Sequence, residues 1–304
     1  MVASGPADVP ATLPPMTQVR PYPRTRGPGP STALAALRLI ARRRSVVLCH
    51  HGVGYANSLE DPFELRVPEE RFRTQIELLL AAGFEFVTAA ELVARADGGP
   101  PPPGLVALSF DDGMADNHSV VLPLVREYGI TATVYVITGS IGGQNPWVAA
   151  EAGGRMMTAG QLRELAAAGV ELGAHTVTHP DMSLLDEEAC LREMADSRDQ
   201  LEEVTGVRAR TFAYPFCRYG PAARRAAEAA GFEAAFTCDR RGSWDPYEFR
   251  RSLLRGRDQL SVFVGKVSGS YYPVYESPPA RVLRARTRAV RLRRRKRRLK
   301  GESS

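Results

Sequence analysis

From Ser45 onward the chain alternates short, continuous apolar runs with amphipathic stretches of helical length, and few architectures accept that pattern. The runs are Val46–Cys49, Val106–Phe110, Ala132–Ile137, Val170–Ala174, Thr211–Tyr214, Ala234–Thr237 and Ser252–Leu254. Helix candidates lie between and after them, near 69–82, 88–96, 117–128, 158–168, 186–204, 221–230 and 258–268. Thr158 precedes Gln161 by three residues, as in a capping box, and Pro221 suits a first helical turn. Gly83, Gly129 and Gly169 follow three of the helix candidates and predict left-handed C-caps. Strands that are apolar throughout, rather than on alternate residues, belong in a parallel sheet covered on its faces by helices. The pattern therefore predicts one α/β domain over residues 45–275, with seven parallel strand–helix units in a barrel-like arrangement.

The two ends have a different composition. Residues 1–30 hold eight prolines and little periodicity, so 1–44 reads as a disordered Pro/Arg-rich arm and 276–304 as a polybasic tail. The formal charge of +6 conceals this division. The arm carries seven Arg against one Asp, residues 45–280 carry 21 basic against 32 acidic groups, and 281–304 carry 12 basic against one. The body is thus acidic, which argues against a nucleic-acid-binding domain despite a pI of 9.3. For 281–300 the expectations are a solvated tail, one that adheres to an anionic membrane surface, and one that binds nucleic acid or an acidic partner non-specifically, and we favour the membrane surface. There is no apolar run of membrane-spanning length and no secretory signal pattern. The expected location is therefore cytoplasmic or at the inner membrane periphery rather than secreted. Four cysteines, Cys49, Cys190, Cys217 and Cys238, are too sparse for a disulfide scaffold and read as buried thiols.

In parallel α/β folds chemistry gathers at the carboxyl ends of the strands. Four of the five histidines follow predicted strands: His50 and His51 after the first, His175 and His179 after the fourth. Asp111-Asp112-Gly113 follows the second. Alone, each piece has a bland reading, as a turn for Asp-Asp-Gly or a surface pair for the histidines. Together, two imidazoles and a carboxylate form a ligand set for a catalytic divalent metal, and the second Asp is left as a base. A nearby carboxylate can deprotonate an activated water, and His50 or His51 can donate a proton to a leaving amine. Metal-assisted hydrolysis of an amide or ester is the class these residues point to.

The same residues resemble the polysaccharide deacetylase family, the carbohydrate esterases with a NodB-type homology domain. Ser109-Phe110-Asp111-Asp112-Gly113 is similar to that family's first motif and His175-Thr176-Val177-Thr178-His179 to its second. The resemblance covers about residues 45–272 and implies a distorted (β/α)7 barrel. It also implies that Asp111 is the general base and that Asp112, His175 and His179 bind the metal, with zinc as the default ion. Tyr214-Pro215-Phe216 stands for the third motif, with Phe216 lending its backbone N–H to an oxyanion hole and Tyr214 and Pro215 beside the substrate. Ala213 replaces an arginine common in relatives, Cys217 stands where glycine is frequent, and no histidine follows His179. The Cys49-His50-His51-Gly52 stretch looks like the subgroup of poly-N-acetylglucosamine deacetylases, in which an early histidine is the general acid. His51 aligns best with it. Arg251 is expected either to orient Asp111 or to be an exposed member of the Arg250-Arg251 pair. Trp147, in a long Gly-rich segment, is either a sugar-stacking residue or loop packing. The implied substrate is an N-acetylated glycan. A non-sugar amide, an O-acetyl ester, or a catalytically silent glycan-binding role are the alternatives.

Overall fold

The structure, a computed structural model, describes residues 30–54, 61, 63–145, 154–238 and 243–271. Trp147, residues 1–29 and the polybasic tail lie outside the described residues. In chain order the elements begin with α1 (Pro30–Ala41), β1 (Val46–His50), β2 (Gly52–Val53), β3 (Arg66–Val67), α2 (Glu69–Ala82), β4 (Glu85–Val87), α3 (Ala89–Ala96) and β5 (Leu105–Phe110). A π-turn at Asn117–Val121 runs into α4 (Leu122–Tyr128), followed by β6 (Thr133–Val136), α5 (Ala159–Ala167), β7 (Glu171–Ala174), α6 (Glu187–Thr205) and β8 (Thr211–Ala213). The series ends with α7 (Pro221–Ala229), β9 (Ala234–Thr237), β10 (Phe249–Arg250), β11 (Ser252–Leu253) and α8 (Leu260–Val267).

All seven expected strands and all seven expected helices are present, and every pairing in the main sheet is parallel. Thr158 and Gln161 do form a capping box, and the three predicted cap glycines take left-handed φ. The sheet order is β10-β9-β8-β7-β6-β5-β1-β11, with β4 on the lower half of the β5 edge that β6 extends. The two ends of that order are one run of chain. Phe249 and Arg250 pair with β9, Ser252 and Leu253 pair with β1, and Arg251 stands between them. The Arg251 N–H donates to Thr237 O and the Leu254 N–H to Cys49 O, so residues 249–254 close the sheet into a barrel.

Strand residues alternate between two apolar clusters. Val46, Leu48, Val106, Leu108 and Phe110 face out and pack under helix residues such as Phe72, Ile76 and Phe263. Val47, Ala107, Tyr135, Ala213, Phe236 and Phe249 face in and meet one another across the barrel. The reading of residues 1–44 as disordered needs correction at its C-terminal part. Ala33, Leu37 and Ala41, spaced four apart, form a buried stripe on α1, which packs against α2 and α8. Arg38, which interrupts the apolar run in sequence, lies on the exposed face and donates to Ala81 O at the end of α2.

Candidate active site

The strand alternation decides which of two adjacent histidines meets the cavity. Val46, Leu48 and His50 share the outward face, so His50 is fully buried against Phe110 and Phe72, at ring distances of 5.2 and 5.3 Å. His51 continues the inward face of Val47 and Cys49 and lines a cavity of about 340 Å³ at the carboxyl ends of the strands. Asn117 donates to His51 O at 2.9 Å and fixes that corner.

Burial pushes the His50 imidazole down to about 4 from an ordinary 6.5. The native state therefore keeps His50 neutral where the unfolded chain takes up a proton. That penalty is absent above about pH 6.5, grows as pH falls, and is complete near pH 4, where it reaches about 3 kcal/mol. Urea midpoints measured across this range are expected to fall, and His50→Leu to flatten that part of the profile. A His50→Leu profile identical to wild type would refute the assignment.

Asp111 and Asp112 follow β5 at the same mouth, both almost fully buried. The Arg251 guanidinium grips Asp111 with two bonds, Nη1 to Oδ1 at 2.5 Å and Nη2 to Oδ2 at 2.8 Å. Arg251 has no exposed surface, lies 5.2 Å from the Tyr135 ring centre, and also donates to the Ser109 hydroxyl. It is thus the inward partner of Asp111 and not a surface member of the arginine pair. Burial favours the neutral carboxyl at Asp111, but Arg251, with His175 and His51, outweighs it and holds the group well below the usual carboxylate range.

Asp112 turns the other way, with left-handed φ of 75°. Its Oδ1 lies 3.5 Å from the Nε2 atoms of both His175 and His179, which are 3.2 Å apart. His175 Nδ1 lies 2.7 Å from Ala213 O; donation to that carbonyl leaves its Nε2 as a lone pair aimed at Asp112. Burial and the neighbouring His175 push the His179 imidazole down to about 3, which keeps it in the neutral form that ligates. Asp112 Oδ1 is buried without a hydrogen-bond partner of its own. Four-coordinate zinc with ligands at about 2.0–2.1 Å sets neighbouring donor atoms about 3.3 Å apart. The spacing and the orphaned oxygen fit a divalent ion, and among the described residues this is the one such group of three.

The loop that carries the two histidines is held in unfavourable backbone states, Thr176 at φ 68° and His179 at φ 59°. The Thr176 hydroxyl donates to His175 O and accepts from the His179 N–H, tying one to the other. Glu193 of α6 accepts from the N–H groups of Val177 and Thr178 and from the Thr178 hydroxyl. Gly139 donates to Val177 O, where a Cβ on residue 139 would stand 2.5 Å from that oxygen. Sequence reasoning gave no role to Glu193 or Gly139, because neither lies in a strand-end motif.

The third motif divides. Phe216 and Cys217 line the cavity on a tight turn with φ of 54° and 56°, and the half-exposed Phe216 ring meets His179 edge-on at 4.6 Å. Tyr214 and Pro215, expected beside the substrate, are buried instead. Tyr214 lies on the outward face, stacks on Tyr219 and donates to Tyr247 O, so the two residues anchor the turn from behind. Ala213, where relatives often carry arginine, faces into the barrel, which already holds Arg251.

The fold and the site together define a parallel α/β barrel with a buried Asp-His-His group able to hold a divalent ion and a second carboxylate kept apart by arginine. The family model described as polysaccharide deacetylase matches residues 98–235. These residues carry a polysaccharide deacetylase domain. It is 28% identical over 195 residues to YxkH of Bacillus subtilis (strain 168), which covers 64% of each chain. It is 32% identical over 79 residues to the poly-beta-1,6-N-acetyl-D-glucosamine N-deacetylase of Staphylococcus epidermidis, 26% of this chain and 27% of that one. The chain thus spans less than two thirds of these relatives. The barrel is also that of the Streptococcus pyogenes deacetylase PplD, with a TM-score of 0.61, 24% identity, and coverage of 71% of this chain and 95% of that one. IcaB from Ammonifex degensii gives 0.60 and 23%, with coverage of 75% and 97%.

Proposed function

We propose that this chain is a metal-dependent hydrolase that removes N-acetyl groups from an amino-sugar glycan or its precursor. The observation that carries the reading is the division of labour between two adjacent buried carboxylates facing one cavity, Asp112 toward two imidazoles and Asp111 toward a guanidinium. Asp112, His175 and His179 would hold the ion, with zinc the default for such a set. When bound, a divalent ion supplies Lewis acidity, lowering the pKa of water and polarising the acetyl carbonyl.

The chain's own residues do the rest. Asp111, kept anionic by Arg251, accepts a proton from the attacking water in the cavity it lines. The backbone N–H of Phe216 donates to the oxygen that gains charge as the carbonyl carbon becomes tetrahedral. His51 delivers a proton to the departing amine. The preference for an N-acetylglucosamine polymer rests on the stretch shared with the staphylococcal N-deacetylase.

Acetate release from N-acetylglucosamine oligomers tests the reading. Release is expected from metal-loaded protein, to be lost on chelation and restored by a divalent ion. His51→Ala is expected to cut turnover by about 10²-fold or more with metal content unchanged. No acetate from a broad panel of acetylated glycans would sink the proposal, and loss of metal in His51→Ala would show that histidine to be a ligand.

A further inference from the structure

Three of the four cysteines converge beside Asp111, although they come from three separate strand ends. Cys49 ends the inward face of β1, and its thiol lies 3.4 Å from Asp111 Oδ2. Cys238 follows β9 on the same inward parity as Ala234 and Phe236. Cys217 closes the turn after β8 and lines the cavity. The Cys238 thiol is in hydrogen-bonding contact with both Cys217 and Cys49, and all are free thiols. The mechanism above uses none of them. Cys217 also sits at φ 56°, a left-handed conformation that is strained for any residue other than glycine. A thiol therefore occupies a position that the backbone favours for glycine, and it faces a second thiol.

We propose that Cys217 and Cys238 form a dithiol modification site that reacts with small disulfides entering through the cavity and ends as an intramolecular disulfide. Cys217 is the point of entry, since it lines the cavity while Cys49 is fully buried. Its thiolate attacks one sulfur of the incoming disulfide and expels one external thiolate, leaving a mixed disulfide. Cys238 then gives up its proton and attacks the Cys217 sulfur, expelling the second. Two protein thiols are oxidised, one external disulfide is reduced to two thiols, and charge balances through the two protons released. The backbones are already close, because the Thr237 hydroxyl donates to Cys217 O at 3.1 Å. The new bond ties the turn bearing Phe216 to the end of β9. The contact with Cys238, together with burial, holds the Cys217 thiol well above the ordinary range, so exchange accelerates as pH rises.

The test treats the full, folded chain with oxidised glutathione at mildly alkaline pH, followed by acid quench, alkylation and trypsin. Trypsin cuts after Arg210, Arg218, Arg225 and Arg240, which places Cys217 and Cys238 on separate peptides, 211–218 and 226–240. A linked pair of these peptides is expected in more than half of the protein. It should vanish with dithiothreitol and be absent from both Cys217→Gly and Cys238→Ser. Cys190, fully buried on the inner face of α6, is the internal control and should stay unmodified. Three results would each overturn the proposal: glutathione retained on Cys217, a Cys49–Cys238 link, or Cys190 modified as fast as Cys217, which would signal unfolding.

Discussion

Asp111→Asn is expected to lower turnover by about 10³-fold, in the middle of the range for a general base, while metal content stays at the wild-type level. The amide keeps the shape of the carboxylate but cannot accept a proton from water. The metal-holding group is untouched, since Asp112, His175 and His179 do not depend on Asp111 for their mutual spacing. Steady-state acetate release alongside metal analysis separates the two effects. Activity within a few-fold of wild type would remove Asp111 from the mechanism, and loss of metal would make it a ligand.

Arg251→Met is expected to cost about 3–5 kcal/mol of folding stability, because it leaves the Asp111 carboxylate buried with its principal counter-charge gone. Methionine fills part of the same volume, so the loss reports charge more than cavity. Arg251 acts on the reaction through Asp111, and its removal has a signature that a merely structural residue lacks. Burial, no longer outweighed by the guanidinium, raises the Asp111 carboxyl. The acid limb of the pH–rate profile should therefore move to higher pH in the folded variant. Arg251→Lys should restore part of the stability, although one ammonium cannot reproduce the two-pronged grip. Unchanged urea midpoints and an unmoved acid limb would together refute this account.

Much of the barrel was legible because its signals are local. Continuous apolar runs, capping residues and cap glycines mark each strand and helix within a dozen residues, and polar residues just past the strands mark the mouth. Strand parity carries a further signal, since the spacing of Val47, Cys49 and His51 separates His51 from His50. Parity likewise turns Tyr214 away from the cavity. What stayed hidden depends on contacts between distant residues. Arg251 lies 140 positions from Asp111, and no local pattern distinguishes it from Arg250. Glu193 reaches the histidine loop from the middle of a helix whose pattern reads as an ordinary surface face. The helix α1 was missed because Arg38 breaks its apolar run in sequence but not on its buried stripe.

The closing run, Phe249–Leu254, has one more implication. The three side chains able to hold an ion have all been made by residue 179 and the loop of the two histidines is pinned by Glu193 and Ala213, whereas the arginine that grips Asp111 comes later still. A chain that stops before Arg251 contains every contact described for the Asp-His-His group but lacks the counter-charge of Asp111. The Asp111 carboxylate therefore gains its counter-charge only where the two ends of the sheet meet, so the charge balance of the cavity depends on closure of the barrel.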